Sequence, residues 1–164
     1  VNVFEPTKLG GALSRQIYIP AVFEFDADEA LILATDLPAT RRYWNWQIND
    51  PYFNAVEYVY RLSSTNGYYA RVASGGRVYA VPALRDRGVP NWLDPWGFTQ
   101  GTIYGRWYDC DSHPLPTLKR VKFGEIRDHL PADTPAVSPD QRAEQLHRCA
   151  LQYGPELKLR VGVA

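Results

Sequence analysis

The chain has 164 residues, the size of one ordinary domain, and a formal net charge of zero from 18 basic and 18 acidic side chains. This balance argues against a nucleic-acid binder or a polybasic membrane patch, since both depend on clustered positive charge. The apolar runs are too short to span a bilayer, and two cysteines exclude a disulfide scaffold. The chain contains no Met and begins with Val1, so we expect it to be part of a longer polypeptide.

The first predicted elements are two strands. Residues 16–25 are rich in β-branched and aromatic residues, and Pro20 favours an edge strand or a bulged strand because proline has no N–H for a ladder bond. A polar turn then leads to a short, mostly apolar strand over residues 29–35.

Residues 42–49 alternate with a period of two, which is typical of a half-buried strand. One face carries Trp44, Trp46 and Ile48, and we predict that it faces the core. The other face carries three side-chain amides, Asn45, Gln47 and Asn49. An amide both donates and accepts, as a sugar or carboxylate ligand requires, so these three are candidate binding residues. A plain solvated sheet face is the alternative.

The middle of the chain predicts a further strand and a hairpin. A strand is expected over residues 54–62, in which Val56, Tyr58 and Tyr60 lie on one face. A turn is expected over residues 63–67. Residues 68–73 and 77–81 then read as a hairpin closed by a Gly-Gly turn.

The last predicted strands follow an irregular segment. Residues 102–109 alternate, with Ile103 and Trp107 predicted in the core, and residues 118–123 form a final strand. One short helical turn is expected over residues 125–130.

A helix is predicted near the C-terminal end, over residues 139–153. Ser138 and Gln141 form a capping box, with a proline at the first helical position. Gly154-Pro155 is expected to end the helix. An apolar face is formed by Ala143, Leu146, Ala150 and Tyr153.

The elements together predict a mainly β fold, either a sandwich or a barrel and not an α/β fold. Of the two we predict an antiparallel β-sandwich with a C-terminal α-helix packed outside. We assign residues 1–124 to the β-sandwich and residues 125–164 to a helical extension of the same domain.

The irregular segment 85–97 is the main candidate for chemistry, since a long loop without secondary structure is often functional. Asp86 and Asp94 are the candidate catalytic carboxylates, whose separation decides whether they can act as a pair. The candidate binding residues are Arg85, Asn91, Trp92 and, from the strand that follows, Arg106. In the alternative interpretation the segment is a plug, with Trp92 and Trp96 closing one end of the sandwich. In either case we expect both carboxylates to be held by Arg85, Arg87 or Arg106 or by backbone amides.

Metal and cofactor sites find no support in the sequence. The three histidines lack ligand spacing, and Cys110 with His113 is one lone pair, whereas a closed zinc site needs about four ligands. There is no nucleophile elbow and no Gly-rich phosphate loop. We therefore predict no metal and no cofactor, and we predict that Cys110 and Cys149 are unpaired.

Several of these motifs resemble a known bacterial family. The pattern includes Arg42-Tyr43-x-Asn45-x-Gln47-x-x-Asp50-x-Tyr52 and, most specifically, the run of seven residues Gly-Val-Pro-Asn-Trp-Leu-Asp over residues 88–94. It resembles the domain of unknown function 1214, over roughly residues 25–153. The family often has His before the Arg-Asp pair and Pro after it, where this chain has Leu84 and Arg87. The resemblance implies a jelly-roll β-sandwich at the C-terminal end of a larger, often oligomeric protein, and implies no established activity.

Three classes of function remain open, and the third is a metal-dependent enzyme, which would need His and Cys or carboxylate side chains to converge in the fold. In the first, the domain binds or acts on a polar small molecule or a glycan. In the second, it is a structural or oligomerisation module, with the missing N-terminal part or another subunit as its partner in a homo- or hetero-oligomer. A large exposed apolar patch would favour the second class.

Overall fold

The computed structural model describes residues 14–160, with side chains through residue 151. This part of the chain is mainly β, with two four-stranded sheets and one α-helix near the C-terminal end. Its elements are β1 Gln16–Glu24, β2 Glu29–Asp36, β3 Arg41–Asn49, β4 Ser64–Asn66, β5 Arg77–Pro82, β6 Trp92–Leu93, β7 Gln100–Cys110, β8 Thr117–Lys122, a 3₁₀ helix Phe123–His129 and α1 Pro139–Arg160.

The two sheets share one hydrophobic cluster. The first sheet has the strand order β1-β7-β3-β4 and the second β6-β5-β2-β8. The named strands pair antiparallel except β5 and the two-residue β6, which are parallel, so the expected purely antiparallel arrangement needs this one correction. Leu31, Leu33 and Val78 of the second sheet belong to the same buried cluster as the tryptophans of the first.

The period-two pattern located the core of the first sheet correctly. The five predicted core side chains are each at most 2% exposed: Trp44, Trp46, Ile48, Ile103 and Trp107. The ring of Trp107 meets that of Trp46 edge-on, with centroids 6.0 Å apart. The expected edge strand is also confirmed, because β1 is the outermost strand of the first sheet and contains Pro20.

The strand predicted over residues 54–62 does not form, and β4 lies instead inside the predicted turn. Two carboxylates fold this segment into turns. Asp50 accepts the N–H of Tyr52 and of Asn54, and Glu57 accepts the N–H of Val59 and of Tyr60. These side-chain acceptors compete with a sheet partner for the same backbone donors.

The predicted hairpin forms only around its turn. Gly76 has φ +79°, and the N–H of Ala73 donates to Arg77 at 2.8 Å. The first arm has only an isolated bridge, from Val72 to Val78. The side chain of Asn91 bonds both the N–H and the C=O of Arg71, which leaves these groups unavailable to a ladder.

Helix α1 begins where the capping box predicts. The N–H of Gln141 donates to Ser138 Oγ at 3.2 Å, and the N–H of Ser138 donates to Gln141 Oε1 at 2.9 Å. The predicted end is wrong, because the helix continues through Pro155 to Arg160. Pro155 removes one ladder donor, whereas residues 156–160 are all good helix formers.

The buried side of α1 differs from the predicted apolar face. Ala143 is exposed, whereas Arg142 is buried and Gln145, Leu146 and Cys149 are half-buried. The side chain of Tyr153 lies outside the described residues. Within residues 14–160, no helix has both the length and the apolar character needed to cross a bilayer.

Candidate functional site

A cleft of about 660 Å³ separates α1 from the strands. Helix α1 forms one wall with Arg142, Gln145, Arg148 and Cys149. The opposite wall comes from β4, β6 and the segment after β4, and contains Ser64, Thr65, Tyr68, Tyr69, Asn91 and Trp92. Small-molecule sites are commonly clefts of this size with a few polar groups on aromatic and apolar walls.

Hydrogen bonds fix two of the aromatic residues of the cleft wall, Tyr68 and Trp92. The side chain of Tyr68 is 90% exposed, and its backbone N–H donates to Asn66 Oδ1 at 2.8 Å. The indole Nε1 of Trp92 donates to the Ala83 carbonyl at 2.8 Å, which fixes the plane of the ring.

Arg142 fastens α1 to the loop over residues 85–97. Its side chain is only 8% exposed, and its Nε and Nη2 donate to the two oxygens of Asp86 at 2.8 and 3.2 Å. Nη2 also reaches the Val89 carbonyl at 2.6 Å, Nη1 reaches Gln145 Oε1 at 2.7 Å, and the guanidinium stands over the Trp92 ring. All three nitrogens are therefore engaged, with four of the five N–H groups donating, so Arg142 positions the helix.

The carboxylates of the loop are held by arginine side chains and backbone N–H groups, as predicted. Asp86 also accepts the N–H of Gly88 at 2.7 Å. Asp94 is 5% exposed and accepts Arg61 Nη1 at 2.7 Å and the N–H of Trp96 at 2.8 Å. The arginines are not the expected ones, because Arg61 comes from the mispredicted segment and Arg142 from the helix.

Arg85, Asn91 and Trp92 have structural contacts as well. The Oδ1 of Asn91 accepts the backbone N–H of Arg71, and its Nδ2 donates to the Arg71 carbonyl. Nδ2 also donates to the Tyr79 carbonyl at 2.9 Å. The guanidinium of Arg85 stacks on the ring of Phe123, 4.3 Å from its centroid. Of these three candidates, the structure brings Asn91 and Trp92 together at the cleft.

The other predicted binding residues lie on a different surface, the outer face of the first sheet. Arg106 does not reach the loop over residues 85–97. It lies opposite Asn45 in the strand register, and its Nη1 donates to Asn45 Oδ1 at 3.4 Å and to Gln47 Oε1 at 3.2 Å. Gln47 Nε2 donates to Asn49 Oδ1 at 2.8 Å. We call this surface the amide face; its members are Tyr18, Asn45, Gln47, Asn49, Tyr104 and Arg106.

Both cysteines are free, as predicted. Cys149 lines the cleft, and its Sγ donates to the Tyr58 carbonyl at 3.5 Å. Burial raises the pKa of the Cys149 thiol, with a further contribution from Glu57, and burial likewise raises the pKa of Cys110. No three side chains of His, Cys, Asp and Glu converge on a metal-sized site within the described part of the chain.

Sequence reasoning missed the residues of the cleft wall. Gln145 and Arg148 were assigned no role, since they lie on a predicted helix whose orientation the sequence does not give. Tyr68 and Ser64 fall in segments read as hairpin and turn. The sequence has no signal for the contact between the helix and the loop, because the burial of Arg142 and its pairing with Asp86 are visible only in the structure.

Replacing Asp94 with Ala is expected to lower the free energy of unfolding by about 1–3 kcal/mol, since the part-buried N–H of Trp96 and the guanidinium of Arg61 lose their acceptor. A fall in the melting temperature of several degrees, measured by circular dichroism, would follow. Exchange of the exposed Asp111 for Ala is the matched control, and an equal change in the two variants would contradict the buried role of Asp94.

Comparison with known proteins shows similarity in fold. No protein-family model matches the chain, and no curated protein matches it. A solved structure of an uncharacterised protein from Burkholderia cenocepacia is similar with a TM-score of 0.70 and 27% identity, covering 74% of this chain and 35% of that one. A protein from Vibrio parahaemolyticus is similar with a TM-score of 0.54 and 17% identity, covering 66% and 31%. The chain thus spans about a third of the length of these two proteins.

Proposed function

We propose that the chain is a binding domain for a polar small molecule, a short glycan in particular, and that the ligand lies in the cleft between α1 and the strands. The observation that carries the proposal is the exposed Tyr68 ring, which shares a cleft wall with two hydroxyl residues and lies across the cleft from the amide of Gln145. Sugar rings present apolar C–H faces and polar rims, so they need an aromatic surface with a few donors and acceptors around it.

Three polar groups of the cleft are available to such a ligand. The hydroxyls of Ser64 and Thr65 and the Nε2 of Gln145 have no hydrogen-bond partner within the part of the chain that the structure describes. Arg142 positions Gln145 by occupying its Oε1. The amide donor and both hydroxyls therefore remain for the ligand, at positions that the surrounding structure fixes.

Binding without chemistry is the version that the contacts favour. The catalytic role of Asp86 and Asp94 stays a prediction. Each carboxylate already accepts an arginine and a backbone N–H. A general acid or a nucleophile needs a carboxyl oxygen open to its substrate.

We extend the proposal to the type of fold and to the family. We infer a β-sandwich of jelly-roll type, related to the domain of unknown function 1214. The hydrophobic cluster shared by the two four-stranded sheets supports the sandwich. The relation to the family depends on the motif over residues 88–94.

A role in assembly is the second candidate function, and one surface favours it. The segment between β3 and β4 exposes four large aromatic side chains, each at least 47% exposed: Tyr52, Phe53, Tyr58 and Tyr60. Aromatic residues are enriched in protein interfaces. A dimer or larger species in size-exclusion chromatography with light scattering, lost on replacing Tyr52 and Tyr60 with Ser, would support this role, and a strictly monomeric chain would contradict self-association.

The binding proposal is tested by calorimetric titration with cellotriose, maltotriose and chitotriose. We expect one of the three to bind with a Kd on the order of 1 mM or below. Replacing Tyr68 with Ala should weaken that binding about tenfold, a loss of about 1.4 kcal/mol. Replacing Tyr52 with Ala is the control, since Tyr52 is 85% exposed and lies outside the cleft. This variant should bind the sugar with unchanged affinity. Absence of binding for all three sugars, or equal binding by the Tyr68 variant, would overturn the proposal.

A further inference from the structure

The amide of Gln145 presents the cleft with a hydrogen-bond donor in a fixed orientation. Arg142 Nη1 donates to Gln145 Oε1 at 2.7 Å, and this bond decides which end of the amide is the oxygen, since a guanidinium cannot accept. Gln145 lines the cleft, and its Nε2 has no acceptor among the residues that the structure describes. A ligand that meets Gln145 therefore needs an acceptor at this point, such as a carbonyl oxygen.

A small apolar group lies one helical turn from this donor. Cys149 follows Gln145 by four residues, and side chains at this spacing are neighbours on one helix face, with Cβ atoms about 5–6 Å apart. Cys149 lines the same cleft, and its Sγ donates to the Tyr58 carbonyl. Burial raises the pKa of the thiol, so it stays uncharged at neutral pH and packs as a small apolar side chain. Leu62 adds apolar surface to the lining.

The charges around the cleft are paired within the chain. The guanidinium of Arg142 pairs with Asp86 at 2.8 Å, and that of Arg148 pairs with Glu144 at 3.3 Å. None of the described residues that line the cleft is Asp or Glu. Glu57 lies close enough to act on the Cys149 thiol, and its carboxylate accepts backbone N–H groups of its own segment. An uncharged sugar therefore fits the cleft better than a uronate or a protonated amino sugar.

A fixed donor next to an apolar group matches an acetamide, whose carbonyl oxygen accepts, whose methyl group is apolar and whose net charge is zero. We propose that the cleft selects sugars that carry an N-acetyl group at C2. The carbonyl oxygen of that group accepts from Gln145 Nε2, its methyl group packs against Cys149 and Leu62, and the sugar ring lies on Tyr68. This inference rests on the proposed function, because it names the class of glycan that the same cleft binds.

The test compares three β-1,4-linked trisaccharides that differ only in the substituent at C2. N-acetylated chitotriose carries the acetamide, its deacetylated form carries an amine, and cellotriose carries a hydroxyl. In calorimetric titration, the acetylated sugar should bind at least about tenfold more tightly than either of the others. Equal or tighter binding of cellotriose or of the deacetylated sugar would overturn this inference and leave the proposed function standing. Absence of binding by every sugar, maltotriose included, would overturn both.

Variants of the helix face locate the selectivity. Gln145→Glu keeps an oxygen for Arg142 and replaces the donor with an acceptor. It should weaken binding of acetylated chitotriose about tenfold and change binding of cellotriose less than about threefold, since the C2 hydroxyl of cellotriose can donate to the new carboxylate. A Gln145→Glu variant that keeps the parent's preference for the acetylated sugar would contradict the proposal.

Cys149→Ser provides the second test and does not depend on the folding of the first variant. It exchanges the apolar thiol for a polar hydroxyl of similar size, so the preference for acetylated chitotriose over cellotriose should fall by at least about twofold. Cys110→Ser is the matched control, since Cys110 is the other free cysteine and lies outside the cleft. Equal preferences in the Cys149 and Cys110 variants would contradict the contact assigned to the methyl group.

Discussion

Replacing Asp86 with Ala is expected to lower the free energy of unfolding by about 3 kcal/mol, since it leaves the guanidinium of Arg142 largely buried without its counterion. In chemical denaturation this loss appears as a lower midpoint, and in thermal denaturation as a decrease of roughly 2–4 °C in melting temperature per kcal/mol. The loss should fall mainly on the attachment of α1, because Asp86 and Val89 hold the first turn of that helix through Arg142.

A more exposed ion pair provides the control. Asp36 pairs with Arg77 at 2.9 Å, with the two side chains 67% and 39% exposed. Asp36→Ala should therefore cost less than about 1 kcal/mol. In the double variant Asp86→Ala with Arg142→Met, much of the loss should be recovered, because no buried charge remains. Equal losses for the Asp36 and Asp86 variants would contradict the role assigned to Arg142.

Replacing Gly105 with Ala is the second substitution with a large expected effect. Gly105 lies opposite Trp46 in the strand register, and a Cβ at this position would lie 2.2 Å from Cζ3 of the Trp46 ring. That ring is 1% exposed and meets Trp107 edge-on, so it has no free space into which to move. We expect a loss of about 3 kcal/mol or failure to fold, at the upper end for overpacking.

Gly124 is the matched control for this substitution. It is exposed, its φ is not in the left-handed region, and a Cβ there would meet no atom within 4 Å. Gly124→Ala should change stability by less than about 1 kcal/mol in either direction. Comparison of the two melting temperatures isolates the contact with Trp46, and a Gly105 variant as stable as the Gly124 variant would contradict the packing described.

The sequence was sufficient to predict the core strands and the start of the helix. Alternation places Trp44 and Ile48 inward because a strand has a period of two and the first sheet has one buried face. The capping box predicts the first residue of α1 because it depends on groups only three residues apart. Features that depend on neighbouring residues or on a fixed local period can be predicted in this way.

The contacts of the candidate site could not be predicted, since they join segments far apart in the chain. The pair Asp86 and Arg142 spans 56 residues, and the pair Arg61 and Asp94 spans 33. No periodicity relates such residues, so the nearer Arg85 and Arg87 were expected as partners. The strand predicted over residues 54–62 failed for a local reason: the carboxylate of Glu57 accepts backbone N–H groups that the strand would need.

The five tryptophan indoles provide the most direct test of the binding cleft. Only Trp92 among them contributes to the cleft wall, whereas Trp44, Trp46 and Trp107 are buried in the core. A ¹⁵N NMR titration with whichever of cellotriose, maltotriose and chitotriose binds most tightly reports on each indole N–H separately. We predict a saturable shift of the Trp92 signal, together with the side-chain amide of Gln145, and no change at the three core indoles. Saturable sugar binding that leaves both the Trp92 and Gln145 signals unchanged would contradict the cleft as the binding site.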